Sequence, residues 1–356
     1  MIINRYLSRE ILAPLATICV VLVIIFAGYS TARYLPAAAA GMMTGKTVLV
    51  LVFLKIIVAL EVLIPITLFL STIMALGRMH AESEIIAMEA CGLSERTILL
   101  TVLRISLLLA ILVAGLSLYV RPWAYEKGYW LKADAKINFD FSRLRPGRFH
   151  EIGESKDVIF LEEIDPQNKG AKGIFIQQYD GTDRKITHAR EARQETNPAT
   201  GRKIIVLSDG YHYQLEESGS ESDVIHFQTF HLSLTPKPID SIKYRQKSAS
   251  TLSLARSTDK EDKAEFQWRI STGFSTILLG LLGIPFGRTA PRQGKHAKTF
   301  VAVMVFALYY NMTVIAKTWM EQGLVGSFPG IWWPQMILVA LLLLLLKRKT
   351  SGNLSS

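Results

Sequence analysis

The chain has 356 residues, of which 50% are hydrophobic and 20% are charged, and its formal net charge is +10. This apolar content excludes a disordered chain or a coiled coil, and two cysteines are too few for a disulfide scaffold or a cysteine-based zinc module. An excess of Lys and Arg is common in nucleic-acid-binding proteins and also beside the spans of membrane proteins. Because the apolar residues fall in long runs, we expect a membrane protein that binds no nucleic acid.

The apolar runs are long enough to cross a bilayer. A helix needs about 20 mostly apolar residues to span the hydrocarbon core, and each run reaches that length with a few flanking residues. The first run is too long for a cleavable signal peptide. The sequence therefore predicts six membrane-spanning helices, at about 11–33, 47–77, 97–120, 267–287, 298–319 and 329–347.

The Lys and Arg residues of the short loops predict the orientation. Most of them fall on one side of the predicted membrane: Arg5, Arg9, Arg78, Arg96, Arg104, Arg288, Arg292, Lys295, Lys298, Lys347, Arg348 and Lys349. The opposite short loops hold Arg33 and Lys46. We therefore expect both termini in the cytoplasm and the long segment between the third and fourth helices on the outer side.

That long segment divides the chain into three regions, at 1–120, 121–266 and 267–356. It opens with a polar helical stretch at 123–140 and ends with a polar linker at 246–263. Between them lie alternating runs typical of short strands, at 157–162, 173–178, 203–207, 211–215 and 224–230. Turn-forming pairs such as Asp180-Gly181, Asn197-Pro198 and Asp209-Gly210 separate these runs. This pattern predicts an antiparallel sandwich or barrel, and therefore an α+β membrane protein.

Four apolar residues of the predicted strands share one face by period-two alternation. They are Ile159, Leu161, Ile174 and Ile176. We expect them to line an apolar interior of the outer domain.

Two ionisable residues lie within the second predicted span. Lys55 and Glu61 are six positions apart, so they do not face each other on one helix and each needs a partner elsewhere. Lys55 either reaches outward to the membrane surface or lines a cavity, and Glu61 has either a functional or a packing role.

Four basic residues fall near the outer ends of predicted spans: Arg33, Lys46, Arg269 and Lys317. As a set they predict a basic rim around an outward cavity, which suits an anionic amphiphile that carries phosphates. The alternative is that each simply anchors its helix at the interface.

Motifs for covalent chemistry are missing from the sequence. The seven histidines are scattered without metal-ligand spacing, and no hydrolase or zinc-protease motif is present. Residues 41–47 resemble a phosphate-binding loop, but the spacing is one residue short, so a helix start at Thr44–Thr47 is the better interpretation. We expect a non-enzymatic chain without a cofactor or metal.

The cytoplasmic segment between the second and third spans is the most specific feature. Residues 78–91 predict a short amphipathic helix in which apolar and acidic residues recur at helical spacing. Its candidate contact residues are Arg78, Glu82, Glu84, Ile85, Met88 and Cys91. Gly92 is expected to end this helix and Ser94 to cap the next one. Such a helix fits a groove on a soluble partner, or else lies in the lipid interface.

This segment and three other motifs resemble the LptF/LptG family of lipopolysaccharide export permeases. The other motifs are the first ten residues, Gln-Trp-Arg-Ile at 267–270 and Pro-Arg-Gln-Gly at 291–294. The order of three spans, an outer β-domain and three further spans agrees over the whole chain. The resemblance implies a subunit in the inner membrane of a Gram-negative bacterium.

The resemblance also implies partners and roles. Such a subunit pairs with an LptG-type permease half and an LptB-type ATPase dimer, which binds the ATP. Its β-domain is a jellyroll that passes lipopolysaccharide to LptC-type and LptA-type proteins, and spans one and five form lateral gates. Carried onto this chain, Glu84 and its neighbours contact the ATPase, and Arg33 faces lipid phosphates.

Two other classes of function remain open on the sequence. One is a membrane-anchored periplasmic ligand sensor or envelope assembly factor, although only short cytoplasmic pieces are available for an output domain. The other is a secondary transporter that uses Glu61 for proton coupling, which has no need of an acidic cytoplasmic helix.

Overall fold

A computed structural model describes most of the chain. The described residues are 2–39, 43–137, 146–152, 157–165, 170–180, 183–196, 203–215, 222–233, 246–288 and 295–352. They form two compact units. The first unit is helical and comprises Met1–Gly28, Leu54–Glu126 and Ser241–Ser356, and the second comprises Tyr29–Phe53 and Lys127–Asp240.

The helices follow the apolar runs of the sequence. In chain order they are α1 (Ile2–Ala39), α2 (Gly45–Ala81), α3 (Glu84–Ala90), α4 (Glu95–Gly115), α5 (Arg121–Ile137), α6 (Thr251–Arg256), α7 (Lys260–Gly287), α8 (Lys295–Gln322) and α9 (Trp333–Gly352). A π-helical segment, Leu116–Val120, joins α4 to α5 without a break. Thr44 Oγ1 accepts a hydrogen bond from the backbone N–H of Thr47 at 3.2 Å, which confirms a helix start at this point.

Five helices of the described chain are long and apolar enough to cross a membrane, and they correspond to the first five predicted spans. The sixth predicted span coincides with α9, whose apolar part, Trp333–Lys347, is shorter. The expected polar linker at 246–263 is largely helical, because it contains α6 and the beginning of α7. The expected helix at 123–140 is present as α5, and residues 138–140 lie outside the described part of the chain.

Small residues allow α2 and α7 to pack closely. A Cβ atom at Gly283 would lie 2.7 Å from Thr72 Cβ, and one at Gly287 would lie 2.8 Å from Leu76 Cβ. Both glycines therefore serve a close helix–helix approach, as the Gly-x-x-x-Gly spacing indicates.

The second unit contains one antiparallel sheet among its described residues. Its strands are β1 (Phe149–Ile152), β2 (Asp157–Asp165), β3 (Gly170–Asp180), β4 (Asp183–Thr196), β5 (Lys203–Leu215) and β6 (Ser222–Ser233). They are hydrogen-bonded in sequence order, so each strand pairs with the next. The sequence predicted neither β1 nor β4.

A row of extra residues crosses the sheet from β2 to β6. Glu162, Gly173, Arg190, Asp209 and Gln228 lie at one level between successive registered pairs. Gly173 and Asp209 have positive φ angles of 59° and 52°. Every one of these strands carries its extra residue at the same level, so the pairing of neighbouring strands keeps one register on both sides of the row. Within each strand, the alternation of inward-facing and outward-facing side chains shifts by one residue at the row.

This row overturns one prediction. The pair Asp209-Gly210 was expected to separate two strands, but it lies within β5. A short polar side chain tolerates the left-handed conformation at Asp209, so the strand continues instead of turning. Asn197-Pro198 lies outside the described residues.

Candidate functional site: a buried charge cluster and the segment at 78–91

Glu61 is the buried acid of α2 that the sequence singled out. Its side chain is 1% exposed and accepts three hydrogen bonds, from Ser117 Oγ at 3.0 Å, Arg121 Nη1 at 2.8 Å and Trp268 Nε1 at 3.0 Å. These donors come from the π-helical segment, α5 and α7. A buried carboxylate is tolerated only when it is paired and hydrogen-bonded, and Glu61 meets both conditions.

Arg121 joins Glu61 to a second buried acid. Its Nε atom donates to Glu265 Oε1 at 2.9 Å. Glu265 also accepts from Arg269 Nε at 3.3 Å and forms an ion pair with Lys317 on α8. We name these five residues, Glu61, Arg121, Glu265, Arg269 and Lys317, the charge cluster. It ties together α2, α5, α7 and α8.

Arg269 is completely buried and fastens the chain segment before α6. It donates to the carbonyl oxygens of Gln246 at 3.1 Å and Ala249 at 3.0 Å, and to Thr251 Oγ1 at 2.9 Å. Thr251 Oγ1 in turn donates to the carbonyl oxygen of Leu118 at 2.6 Å, in the π-helical segment. Arg269 therefore lies within the protein interior and not on an exposed rim.

Further cations surround one aromatic ring beside the cluster. Lys55 Nζ lies 5.1 Å and Lys247 Nζ 5.6 Å from the centroid of the Tyr125 ring, within range of cation–π attraction. Burial, with the nearby charges of Lys317 and Arg121, lowers the pKa of Lys247. Lys317 also forms a longer ion pair, of 3.7 Å, with Glu321, so a third carboxylate borders the charge cluster.

A cavity among α2, α7 and α8 borders the charge cluster. Glu61 and Trp268 lie at its polar end, and Tyr309 and Tyr310 line the side formed by α8. Pro65 of α2 also lines the cavity. Because proline has no backbone N–H, α2 lacks the helical hydrogen bond to the carbonyl oxygen of Glu61 at this point. The cavity is thus apolar with a charged end.

The helix within the segment at 78–91 is shorter than the sequence predicted. Residues 78–81 complete α2, residues 82 and 83 form a turn, and α3 spans Glu84–Ala90. Gly92 has a φ of 88° and follows the helix end, and Ser94 Oγ accepts from the backbone N–H of Arg96 at 3.1 Å. These two boundary residues confirm the predicted end and cap.

One side of α3 packs against its own bundle. Ile85 is 2% exposed, and Met88 packs against the same core. Cys91 is exposed, and so are Glu82, Glu89 and Ile86. The surface open to a partner is therefore the acidic side of α3 with one exposed isoleucine, and not the side of Ile85.

Polar contacts also hold this segment to the beginning of α1. Tyr6 Oη donates to Glu84 Oε2 at 2.8 Å. Arg78 forms an ion pair with Glu10 and a longer one, of 3.5 Å, with Glu82. Arg78 is thus paired within the chain.

A model of the family described as "Lipopolysaccharide export system permease LptF/LptG" matches residues 5–348. The chain belongs to the LptF/LptG family. It is 26% identical over 354 residues to the "Lipopolysaccharide export system permease protein LptF" of Escherichia coli strain K12, covering 97% of this chain and 94% of that protein. The protein of the same name from Shigella flexneri gives the same identity and coverage.

The remaining predicted residues of this LptF/LptG-family chain lie in the second unit. Arg33 and Lys46 are exposed. The four residues predicted to face an interior, Ile159, Leu161, Ile174 and Ile176, are each at most 3% exposed and share one apolar core. Phe227 of β6 completes this core.

Sequence reasoning missed Arg121, Glu265 and Trp268. Arg121 and Glu265 lie just outside the predicted spans, which end at 120 and begin at 267, and charges are ordinary at such positions. One signal was available, because Glu265 and Arg269 are four residues apart on a helix, the spacing of an ion pair. Among the described residues, no group of three His, Cys, Asp or Glu side chains is arranged to hold a metal.

Proposed function

We propose that this chain is one of two permease halves of a lipopolysaccharide exporter driven by a separate ATPase. The observation that carries the proposal is the family match over residues 5–348, together with five membrane-length helices. The printed name of the relatives concerns lipopolysaccharide export. The protein itself supplies no covalent chemistry in this proposal.

The proposed assembly follows the family. The chain pairs with an LptG-type half in the inner membrane of a Gram-negative bacterium, with α9 as the sixth span and both termini in the cytoplasm. An LptB-type ATPase dimer binds on the cytoplasmic side. The sheet forms part of a periplasmic jellyroll that meets LptC-type and LptA-type proteins.

ATP-driven closure of the ATPase pushes α3 and narrows the lipid cavity between the two halves. Two features support α3 as the contact. Its exposed side is acidic, which suits a basic rim on a partner, and Ile86 is 60% exposed there. Glu84, Glu82 and Glu89 are the charged contacts, whereas Ile85 and Met88 support the helix from behind.

Lipid phosphates are bound by exposed cations. Arg33 and Lys46 are exposed, which supports this role for them. Arg269 and Lys317 are engaged with Glu265, so their first role is to hold the helices together. Acyl chains enter the sheet interior beside Ile159, Leu161, Ile174 and Ile176, because the core that these residues form is apolar.

Proton-coupled transport through Glu61 is less well supported. Glu61 forms an ion pair with Arg121 and accepts two further hydrogen bonds, which is the arrangement of a structural carboxylate. A sensor function has no specific observation in its favour.

Purification of the chain with its co-expressed partners tests the proposal. We expect an ATPase and lipopolysaccharide to co-purify with the wild-type chain, as identified by mass spectrometry. Glu84→Lys should weaken ATPase retention several-fold, because it reverses a charge on the contact surface. Glu126→Lys, which reverses an exposed charge on α5, is the matched control. Equal ATPase retention in Glu84→Lys and Glu126→Lys would contradict the proposed contact.

A further inference from the structure

Within the first unit, only the beginning of the first helix is buried, whereas Leu15 and Ile18 are partly buried against its apolar cores. Leu7 and Ile11 are each 1% exposed and belong to the same apolar core as Ile85 of α3. From Leu12 to Gly28, no side chain of α1 is buried within the chain. Within this unit, the beginning of α1 is therefore its most firmly held part.

Polar contacts surround the beginning of α1. Tyr6 donates to Glu84 at the start of α3, and Glu10, one helical turn further, pairs with Arg78 at the end of α2. These contacts join α1 to both sides of the turn at residues 82 and 83. We name the four residues Tyr6, Glu10, Arg78 and Glu84 the strap.

We propose that the strap transmits the displacement of α3 to α1, so that α1 tilts as a lever about its strapped end. The inference rests on the proposed function, in which an ATPase pushes α3. Tyr6, Glu10 and Arg78 act as positioning residues, because they reach the partner only through α3. The apolar core that Leu7 and Ile11 share with Ile85 is the pivot.

The length of the helix makes this arrangement effective. Glu10 and Gly28 are 18 residues apart, which corresponds to about 27 Å of helix at 1.5 Å per residue. A tilt of about 10° at the strap would move Gly28 by about 5 Å by the same geometry. A small motion of α3 thus becomes a movement large enough to open or close a gap beside α1.

The strap is suited to transmitting the motion of α3 more than to stabilising the fold. Arg78 and Glu10 are partly exposed, with 41% and 27% of their side-chain surfaces accessible, and exposed ion pairs contribute little to the stability of a fold. The apolar pivot holds the helix in place. Breaking the ion pair should therefore loosen the transmission and leave the fold intact.

Charge reversal and charge exchange test the ion pair. In the full complex, reconstituted in vesicles that contain lipopolysaccharide, the measured quantity is lipid released per ATP hydrolysed. Glu10→Arg and Arg78→Glu should each lower this ratio at least threefold, and the combined exchange should restore at least half of it. Arg9→Glu, at the exposed neighbouring position, should leave the ratio unchanged. Single reversals that match Arg9→Glu, or an exchange that restores nothing, would overturn the proposal.

Tyr6→Phe tests the other contact of the strap, since it removes only the hydroxyl that binds Glu84. Alone it should lower the same ratio, and in a Glu84→Gln background it should have no further effect. A role of Tyr6 through Glu84 would be contradicted if Tyr6→Phe released as much lipid per ATP hydrolysed as the wild type. It would also be contradicted if Tyr6→Phe caused the same loss in the Glu84→Gln background as it does alone.

A distance measurement separates transmission from simple loss of structure. Spin labels at Ile24→Cys on α1 and Leu108→Cys on α4, both exposed, report the tilt of α1 in a variant with Cys19→Ser and Cys91→Ser. ATP should change the distance between the labels with an intact strap and not with Arg78→Glu. A persisting change in Arg78→Glu would overturn the strap. The distance does not depend on the lipid, so a wild-type complex that moves but releases no lipopolysaccharide would contradict only the proposed function.

Discussion

Arg121 supports two buried carboxylates at once, since it donates to Glu61 and to Glu265. Its side chain is 8% exposed, so the ion pairs have little competition from solvent. Removing one partner of such a pair leaves an uncompensated buried charge, which costs about 3–5 kcal/mol. At the residue scale, this makes Arg121 the most sensitive position of the charge cluster.

We predict that Arg121→Gln lowers the free energy of unfolding of the full chain in detergent by about 3–5 kcal/mol. The measurement is a thermal or denaturant unfolding curve that follows the helices. Arg104→Gln, at an exposed position of α4, is the matched control and should change stability by less than about 0.5 kcal/mol. Similar unfolding of the two variants would mean that the cluster does not hold the bundle together.

His212 makes the stability of the sheet depend on pH. Burial, and to a lesser extent Lys185, lowers the pKa of His212 from its ordinary value of 6.5. The unfolded chain therefore binds a proton at a higher pH than the folded one. The contribution of the neutral His212 side chain to the free energy of unfolding is complete above about pH 6.5. It is lost as the pH falls toward the folded-state pKa. Thr187 Oγ1 lies 2.9 Å from His212 Nδ1 and Phe230 stacks on the ring, so the neutral imidazole is well accommodated.

We predict that hydrogen exchange of β5 becomes faster between pH 6.5 and 5, after correction for intrinsic exchange rates, and that His212→Gln reduces this acceleration. His231→Gln, at an exposed position of β6, is the control. An unchanged acceleration in His212→Gln would show that other groups cause the acid sensitivity.

The charge cluster illustrates how far single residues can be predicted. The need of Glu61 for a partner follows from its position in an apolar run, because a lone buried charge is too costly. The identity of that partner does not follow, since Arg121 and Trp268 are 60 and 207 residues away in sequence. Only the packing of α2 against α5 and α7 brings them together.

At the scale of elements, the close contact of α2 with α7 depends on glycine residues, which have no side chain. A Cβ atom at Gly283 would lie 2.7 Å from Thr72 Cβ and 3.3 Å from the carbonyl oxygen of Phe69. We predict that Gly283→Ala destabilises the helical unit by about 1–3 kcal/mol, the usual range for overpacking. Unfolding of the full chain in detergent measures this.

Gly273→Ala on the same helix is the control for this prediction. Its new methyl group would meet its nearest neighbour, Ala114 Cβ, at 3.5 Å, which is ordinary van der Waals contact. If Gly283→Ala and Gly273→Ala have the same free energy of unfolding, the close approach of α2 and α7 at Gly283 does not contribute to stability, which would contradict the prediction.

Helices were easier to predict than strands for a physical reason. An apolar run of membrane length needs no knowledge of its neighbours, whereas a strand is defined by its pairing. β4 was missed because its sequence, Asp-Arg-Lys-Ile-Thr-His-Ala-Arg-Glu-Ala-Arg-Gln-Glu-Thr, is dominated by charged residues, and only small or polar ones such as Thr187, Ala189 and Ala192 face inward. The row through Asp209 breaks strict alternation, so one strand looked like two.

At the scale of the whole molecule, the presence of a set of long apolar helices and of a separate antiparallel sheet was predictable from the distribution of apolar residues along the chain. The family followed from short motifs, above all the segment that contains α3. What the sequence did not contain was the direction in which α3 faces. Ile85 was expected to meet a partner, but it lies in the same apolar core of its own chain as Leu7. Periodicity indicates an apolar side and not what covers it.

The central claim, that lipopolysaccharide passes from the membrane along the sheet of this chain, is tested most directly by a photo-crosslinker at Ile176. This residue is 3% exposed and lies in the apolar core of the sheet. In the full complex with its ATPase, in vesicles that contain lipopolysaccharide, we predict crosslinks to lipid that require ATP hydrolysis and are lost with Glu84→Lys. A crosslinker at the exposed position Glu163 should capture little lipid. Crosslinks at Ile176 that form equally without ATP, or no lipid crosslinks there at all, would contradict the account.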